Sequence, residues 1–191
     1  MEPIGKSETV EPLPDDLPEL MSRYQAGDAA AFEELYGRLA RSVRGFLRTL
    51  ALPGTEVDDL VQNTFLQVHR SRQTYLPGQP VRPWLFAIAR HVGLMSRRSS
   101  GRRSRRELQP FDELPELPVL ARAAGALDRI ALGRALGDLA APGRETLWLH
   151  HVEGFSFREI AAIQGISETA AKVRAHRAIV ALREVFVEAA T

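Results

Sequence analysis

The side chains that most often carry catalysis or bind metals are few in this chain and poorly spaced for either task. Cysteine is absent, which excludes disulfides and thiolate metal sites. Two of the five histidines, His150 and His151, are adjacent and so point to different sides of a helix, and no HExxH spacing occurs. The pair Asp58 and Asp59 is better explained as a helix start or docking feature than as a general acid/base pair. An enzyme acting on nucleic acid is therefore the weaker hypothesis, and we expect no catalysis, no metal and no cofactor.

Arginine clusters offer a second kind of chemistry, the binding of phosphate. The net charge of +1 hides an asymmetry, because residues 1–19 carry six acids against one base whereas residues 97–106 carry six arginines and no acid. A block of like charge such as the arginines at 97–106 usually marks an interaction segment or a disordered tail. The alternative is a solvated run of charge that binds nothing. The stretch VRPWLFAIARHVGLMSRRSSGRR places aromatic residues beside basic ones, which suits single-stranded DNA. Trp84 begins an apolar stripe, so we interpret it as a core residue.

A helix-turn-helix pattern lies between residues 155 and 186. Ser156 and Glu159 have the spacing of a capping box, and Gly165 is suited to end that first helix. Ser167 then caps a second helix, and in this motif the second helix enters the DNA major groove. A helical hairpin with ordinary surface arginines is the alternative. The residues that the second helix offers to DNA are Glu168, Thr169, Lys172, Arg174, His176 and Arg177.

The elements that must position these residues are helical nearly throughout, with no convincing alternating strand. Apolar residues recur at helical spacing over residues 32–50, 57–68 and 84–95. Thr55 or Asp58 is expected to cap the second of these helices. A loop with three prolines, residues 73–83, separates the second helix from the third. Three amphipathic helices are enough to bury one small shared core.

The chain is predicted to be all-α, with two small helical domains joined by a flexible linker. The expected limits are an acidic N-terminal extension at 1–19, domain one at 20–99, a linker at 100–124 and domain two at 125–191. The linker is placed by its prolines, acids and lack of a sustained period, and a second helical region starts near Leu127. No run of about 18 apolar residues exists, and the N-terminus is the reverse of a signal peptide. We therefore expect a cytoplasmic protein.

Two segments resemble conserved regions of the extracytoplasmic-function (ECF) sigma factors. EVDDLVQNTFLQVHRSRQTYLPGQPVRPWLFAIARHVGLMSRR is similar to region 2 in its DDLVQ-TFL run, its proline-rich loop and its WLF-IAR helix. LAAPGRETLWLHHVEGFSFREIAAIQGISETAAKVRAHRAIVALRE is similar to region 4 in its EGFSFREIA and GIS elements and its K-x-R-x-H-R-A run. The two segments cover about half the chain, in the order of the family and with no region 3 domain between them.

The resemblance implies a factor that brings core RNA polymerase to selected promoters. The second domain would read the −35 element through the six residues given above, while its earlier helices touch the polymerase flap. The first domain would dock on the polymerase clamp helices through Asp58, Asp59, Leu60, Gln62 and Asn63. It would hold the melted −10 strand through Tyr75, Arg82, Arg90, His91, Arg97 and Arg98.

The resemblance also implies which partners the chain binds, and one alternative function is left open. The partners are the β and β′ subunits of core polymerase and promoter DNA, with no small-molecule substrate. The HVEG and A-H-R-A features are similar to those of members paired with membrane-embedded anti-sigma factors, so an anti-sigma partner is expected. Departures such as His91, Met95, Ala170, Val173 and Ala175 mean that the promoter sequence cannot be borrowed from relatives. A stand-alone helix-turn-helix regulator is the alternative function.

Overall fold

The computed structural model describes residues 16–50, 55–100 and 136–189. Every regular element in these ranges is helical, which confirms the all-α prediction. Most of the acidic extension and the expected linker, as well as the predicted helix start at Leu127, lie outside the described residues. None of the helices in the described part of the chain is long and apolar enough to cross a membrane.

Four helices form the N-terminal bundle. They are α1 (Leu17–Gln25), α2 (Ala29–Leu50), α3 (Val57–Ser71) and α4 (Val81–Ser100), with a short 3-10 turn at Arg72–Thr74. The apolar stripes of α2 and α4 meet at Phe46 and Phe86, whose ring centroids are 5.3 Å apart. Both of these phenylalanines are fully buried. The stripes that the sequence showed at helical spacing are therefore the core of this bundle.

Helix α1 was not among the predicted helices, because only four of its residues carry its apolar face. Leu17, Leu20, Met21 and Tyr24 are buried against the rest of the bundle. Pro18 occupies the first turn, where its fixed φ suits a helix and its missing N–H costs no hydrogen bond. The apolar periodicity of the next helix begins at Phe32, which lies one turn inside α2.

The start of α3 corrects one prediction about capping. The N-cap residue is Glu56, and it makes no side-chain hydrogen bond to the helix end. The expected cap at Thr55 or Asp58 is therefore wrong. Asp58 instead lies in the first turn, where a negative charge favours the positive end of the helix dipole, and it accepts a hydrogen bond from Arg44.

The loop between α3 and α4 is tied to α1 rather than free. Gln25 donates through Nε2 to the carbonyl oxygens of Arg72 (2.7 Å) and Tyr75 (2.9 Å). The hydroxyl of Tyr75 donates to the Gln79 carbonyl, and Gly78 makes the bend with a φ of 82°. Helix α4 begins at Val81, three residues before the predicted start, because Pro83 fits in its first turn.

The C-terminal bundle contains α5 (Ala141–His151), α6 (Phe157–Gln164) and α7 (Glu168–Ala189). Helices α6 and α7 confirm the predicted helix-turn-helix. Ser156 and Glu159 form a reciprocal capping box, and Gly165 ends α6 in the left-handed conformation with a φ of 67°. The hydroxyl of Ser167 accepts a hydrogen bond from the backbone N–H of Ala170 at 3.1 Å.

The two bundles pack on each other. Helix α4 lies against α6, and α2 lies against α5. The buried apolar residues of both bundles form one continuous cluster. The sequence predicted two domains but not this direct contact between them.

Candidate nucleic-acid interface

Helix α7 presents most of its predicted DNA-facing residues to solvent along one stripe. Five of the six are exposed, namely Glu168, Thr169, Lys172, His176 and Arg177. Ala171, Ala175 and Ala178 lie on the opposite side of the helix and are buried against the bundle. Small buried residues on one side and polar residues on the other let α7 lie close to its neighbours while its stripe remains free for a groove.

Val173 is an exposed apolar residue inside this polar stripe, and it was not among the predicted site residues. Its relative exposure is 42%, and it lies one helical turn from both Thr169 and Arg177. The signal was present in the sequence, because an apolar residue there falls outside the phase of the buried alanines. An exposed valine on such a helix is able to contact the methyl group of thymine.

Arg174 differs from the other five predicted residues, because the structure directs it toward the bundle. It is half-buried and donates through Nη1 to Gln164 Oε1 at 3.1 Å. The Nε2 of the buried Gln164 donates to Thr146 Oγ1 at 3.0 Å. Arg174 therefore fixes α7 against α6 and α5, whereas the other five residues are directed outward.

Lys172 forms an ion pair with Glu168, one turn earlier in α7, at 2.6 Å. This hydrogen bond lowers the pKa of Glu168. Both side chains are about half exposed, and exposed pairs of this kind contribute little because water competes for both charges. Lys172 is therefore free to exchange its carboxylate partner for a phosphate.

The predicted residues of α4 are divided between two faces of the helix. Arg82, Phe86 and Arg90 recur every four residues and face the C-terminal bundle. His91 and Arg98 are exposed on the other face, with Met95 between them at 49% exposure. Met95 and the loop residue Leu76, at 69%, are exposed apolar residues that the prediction of site residues omitted.

Arg97 and Tyr75, the other two residues of the predicted −10 set, are less exposed to solvent than His91 and Arg98. Arg97 is half-buried near the C-terminal end of α4. Tyr75 is 2% exposed, with its ring edge-on to Trp84 at a centroid distance of 5.5 Å. A direct contact between the Tyr75 ring and DNA would require the loop to open. Trp84 is half-buried and packs against the core, in agreement with its interpretation as a core residue.

The two arginines of α4 that face the C-terminal bundle are partly exposed and are bound by buried carboxylates. Arg82 donates to Glu153 Oε2 at 2.8 Å and to the Glu153 carbonyl at 3.0 Å. Arg90 donates through Nε to Glu145 Oε1 at 2.5 Å. The acidic side chains are only 5% and 3% exposed, respectively. Burial raises the pKa of Glu145, while the charge and hydrogen bond of Arg90 act in the opposite direction.

Helix α3 carries a polar surface that its apolar stripe leaves uncovered. Asp58, Asp59, Gln62 and Asn63 are exposed, whereas Leu60 is 5% exposed and belongs to the core. Two apolar residues continue this surface and were not predicted. Leu66 lies one turn after Gln62 and is 44% exposed, and Tyr36 is 39% exposed with its ring 4.6 Å from that of Phe65.

The adjacent histidines His150 and His151 lie in structural surroundings. His150 Nδ1 lies 2.9 Å from the Phe155 carbonyl, and the His150 ring stacks on Phe157. Burial lowers the pKa of His151, and the neighbouring His150 adds to this effect. Within residues 16–50, 55–100 and 136–189, no three histidine or acidic side chains form a group able to hold a metal ion.

Two protein-family models match this chain. Residues 35–103 match Sigma-70 region 2, and residues 129–182 match Sigma-70, region 4. The first range contains most of α2 and all of α3 and α4. The second contains α5, α6 and most of α7.

Two sigma factors are similar to this chain over most of its length and of theirs. The chain is 38% identical to the RNA polymerase sigma factor CarQ of Myxococcus xanthus, over 88% of this chain and 96% of that protein. It is 37% identical to the ECF RNA polymerase sigma factor SigF of Caulobacter vibrioides, over 86% and 90%.

Two solved structures have a similar fold. One is CnrH in complex with the cytosolic domain of CnrY, with a TM-score of 0.68 and 28% identity over 91% of this chain and 99% of that one. The other is the sigma factor RpoE in complex with the anti-sigma factor NepR from Bartonella quintana, with a TM-score of 0.69 and 26% identity over 81% and 96%.

Proposed function

The chain belongs to the ECF subfamily of the sigma-70 family, and from this premise we propose which of its surfaces carry each step of promoter recognition. As a sigma factor, it directs core RNA polymerase to specific promoters. A region 2 and a region 4 in one chain support this function over that of a stand-alone regulator. The proposed limits are 20–99 for the region 2 domain and 125–191 for the region 4 domain, with 1–19 as an extension and 100–124 as a linker.

The −35 element is read by the exposed stripe of α7. Lys172, His176 and Arg177 supply donors for phosphates and base edges, while Glu168 and Thr169 lie at the N-terminal end that enters the groove first. Arg174 acts as a positioning residue through its hydrogen bond to Gln164. The observation that carries the proposal is this continuous polar stripe, which follows directly from the Gly165 turn.

The melted −10 strand is held by α4 and the loop before it. His91, Met95 and Arg98 form the open face, which combines positive charge with an apolar side chain as single-stranded DNA requires. Arg82 and Arg90 join this surface once the C-terminal bundle moves away, and Arg97 adds charge at the end of the helix. Tyr75 supports the loop from inside, since its hydroxyl is bonded to Gln79.

The exposed side of α3 is the proposed polymerase contact. Asp58, Asp59, Gln62 and Asn63 provide polar groups, and Leu60 fixes the helix from within the core. Leu66 and Tyr36 add an apolar area next to them. A polar rim around exposed apolar side chains is typical of protein interfaces.

The protein acts in the cytoplasm, where core polymerase and promoter DNA are. It has no enzymatic activity of its own, in line with its relatives. An anti-sigma factor is a partner, which the RpoE–NepR complex supports by its fold similarity.

The proposal is tested by transcription with purified components. The full chain is combined with core polymerase and a template carrying the promoter region upstream of its own gene. We expect a discrete start site that neither component gives alone. Arg177→Ala should reduce this transcript about tenfold, because a base or phosphate contact contributes about 1–3 kcal/mol. Arg183→Ala, on an exposed position of α7 beyond the stripe, is the matched control. No association with core polymerase by the folded chain would disprove the proposal.

A further inference from the structure

We propose that Gln25, the last residue of α1, is a positioning residue for −10 recognition, because its side chain fixes the backbone of the α3–α4 loop (residues 72–80). This inference rests on the proposed function, which assigns that loop and α4 to the melted −10 strand. Gln25 is half-buried, and its amide group is directed at the loop. Helix α1 thus acts on promoter recognition through the shape of the loop.

The amide of Gln25 binds both ends of the 3-10 turn that opens the loop. Its Nε2 donates to the Arg72 carbonyl at 2.7 Å and to the Tyr75 carbonyl at 2.9 Å. A glutamine amide has two N–H donors, so both are used here. The backbone N–H of Tyr75 also donates to the Arg72 carbonyl, at 3.3 Å. One side chain therefore joins the two carbonyls between which the chain turns.

The loop returns a hydrogen bond to α1. Gln73 donates through Nε2 to the backbone carbonyl of Gln25 at 3.2 Å. This carbonyl lies in the last turn of α1, where a helix leaves its carbonyls without intrahelical partners. Gln25 thus donates through its side chain and accepts through its backbone, and both contacts are made with the same turn.

The neighbouring residue Tyr24 ties α1 to α3 instead. Its hydroxyl lies 2.6 Å from Nδ1 of His69, which is in the last turn of α3. The Tyr24 side chain is buried, with 5% exposure. Tyr24 and Gln25 are therefore adjacent residues of one helix whose hydrogen bonds end on different segments of the chain.

The part of the loop beyond the anchored turn is open to solvent. Tyr75 is 2% exposed, whereas residues 76–80 are all exposed and Leu76 reaches 69%. The hydrogen bonds from the Gln25 amide end on backbone carbonyls, so they fix the path of the chain whatever side chains the tip carries. A loop already held in its binding shape loses less conformational freedom when it captures a strand. A fixed path also keeps the tip at one distance from the bases, as discrimination between bases requires.

Two substitutions of Gln25 remove its donors, and one substitution of Tyr24 is the matched control. Gln25→Met keeps a side chain of similar length and helix propensity. Gln25→Glu keeps the shape but sets carboxylate oxygens against two carbonyl oxygens. Tyr24→Phe removes the hydrogen bond to His69 and retains the ring, over which the Arg72 guanidinium lies at 6.0 Å. A difference between positions 24 and 25 therefore reports on the loop and not on the stability of α1.

Hydrogen exchange followed by mass spectrometry measures the order of the loop in the free chain. We expect Gln25→Met to raise the exchange of peptides covering 72–80 by about tenfold or more, since each lost hydrogen bond corresponds to roughly fivefold in an equilibrium. In Tyr24→Phe this segment should exchange as in the parent chain. Equal exchange of the loop in Gln25→Met and the parent chain would overturn the proposal.

Discrimination at the −10 element is measured on holoenzyme assembled from the full chain and core polymerase. The probes are two fluorescent single-stranded oligonucleotides, one with the non-template sequence of the −10 element upstream of the mapped start site and one with that sequence scrambled. The ratio of their Kd values does not depend on how much of the protein is active, so a variant that is only less stable leaves it unchanged. We expect Gln25→Met to lower the preference for the −10 sequence about tenfold and Tyr24→Phe to retain it.

The results of this measurement distinguish the role of Gln25 from the proposed function. A parent holoenzyme that prefers neither oligonucleotide would disprove the assignment of the loop to the −10 strand, and the role of Gln25 with it. A parent that discriminates, together with a Gln25→Met variant that discriminates equally well, would overturn the role of Gln25 alone. Gln25→Glu should lose the preference although its side chain has the same size, which identifies the hydrogen bonds and not packing as the cause.

Discussion

At the scale of the residue, the exposed stripe of α7 is notable for a valine among charged and polar neighbours. Val173 is 42% exposed, although residues of its type are usually buried. The neighbouring residues of this helix that are buried against the bundle are Ala171, Ala175 and Ala178, so Val173 is not required for packing. Its position between Thr169 and Arg177 puts it inside the stripe that we propose reads the −35 element. An apolar side chain there discriminates thymine by its methyl group and not by hydrogen bonds.

Replacement of thymine by deoxyuridine in the −35 element tests this role, since uracil lacks only that methyl group. At one or more positions we expect the original chain to lose about threefold to fivefold in transcript, which corresponds to about 0.8 kcal/mol for one buried methyl group. Val173→Ser should abolish the difference between the two bases. Val180→Ser, at an exposed valine two turns later, should retain it. A chain that never distinguishes thymine from uracil would contradict the prediction.

At the scale of the element, the turn between α6 and α7 depends on the backbone of Gly165. Its φ of 67° is one that residues with a Cβ rarely adopt. No atom lies within 4 Å of an added Cβ, so the cost of a substitution is conformational and not steric. The capping box before α6 and the Ser167 cap after the turn fix the two helix ends around it.

Gly165→Ala should therefore destabilise the chain by about 1–2 kcal/mol, the cost of the left-handed conformation for an ordinary residue. Gly165→Asn should cost less, because asparagine tolerates this region. Thermal unfolding followed by circular dichroism provides the comparison. If alanine and asparagine were equally destabilising, a steric origin would be indicated instead.

The helices were largely predictable from the sequence where a short-range pattern of residues defines them. The spacing of apolar residues predicted α2, α3 and α4, and the residues Ser156, Glu159 and Gly165 predicted the helix-turn-helix. Helix α1 was missed because its short apolar face follows an acidic, proline-containing stretch. The cap of α3 was misplaced because Asp58 bonds to Arg44, on another helix, instead of the backbone of its own.

At the scale of the whole molecule, the packing of the two bundles was beyond the reach of sequence patterns. Arg82 and Glu153 are each ordinary surface residue types, and only the fold brings them together. The same is true of Gly45 and Trp148, since a glycine inside a helix gives no sign of what lies opposite. The site residues on α4 were predictable as a set, but their division into a covered and an open face was not.

A continuous core implies cooperative unfolding of both bundles. We expect one calorimetric transition for the full chain, because the buried cluster extends across the interface. Gly45→Ala should separate it into two transitions, whereas Gly37→Ala should leave it single. Two resolved transitions in the parent chain would indicate that the bundles unfold independently.

The close approach of Gly45 to Trp148 has a consequence for which substitutions the chain accepts. A Cβ at residue 45 would lie 2.8 Å from the tryptophan ring, so either the ring or helix α2 would have to move. The space open to a side chain at this position is thus set by a residue of the other bundle. A larger residue at one of the two positions would call for a compensating change at the other.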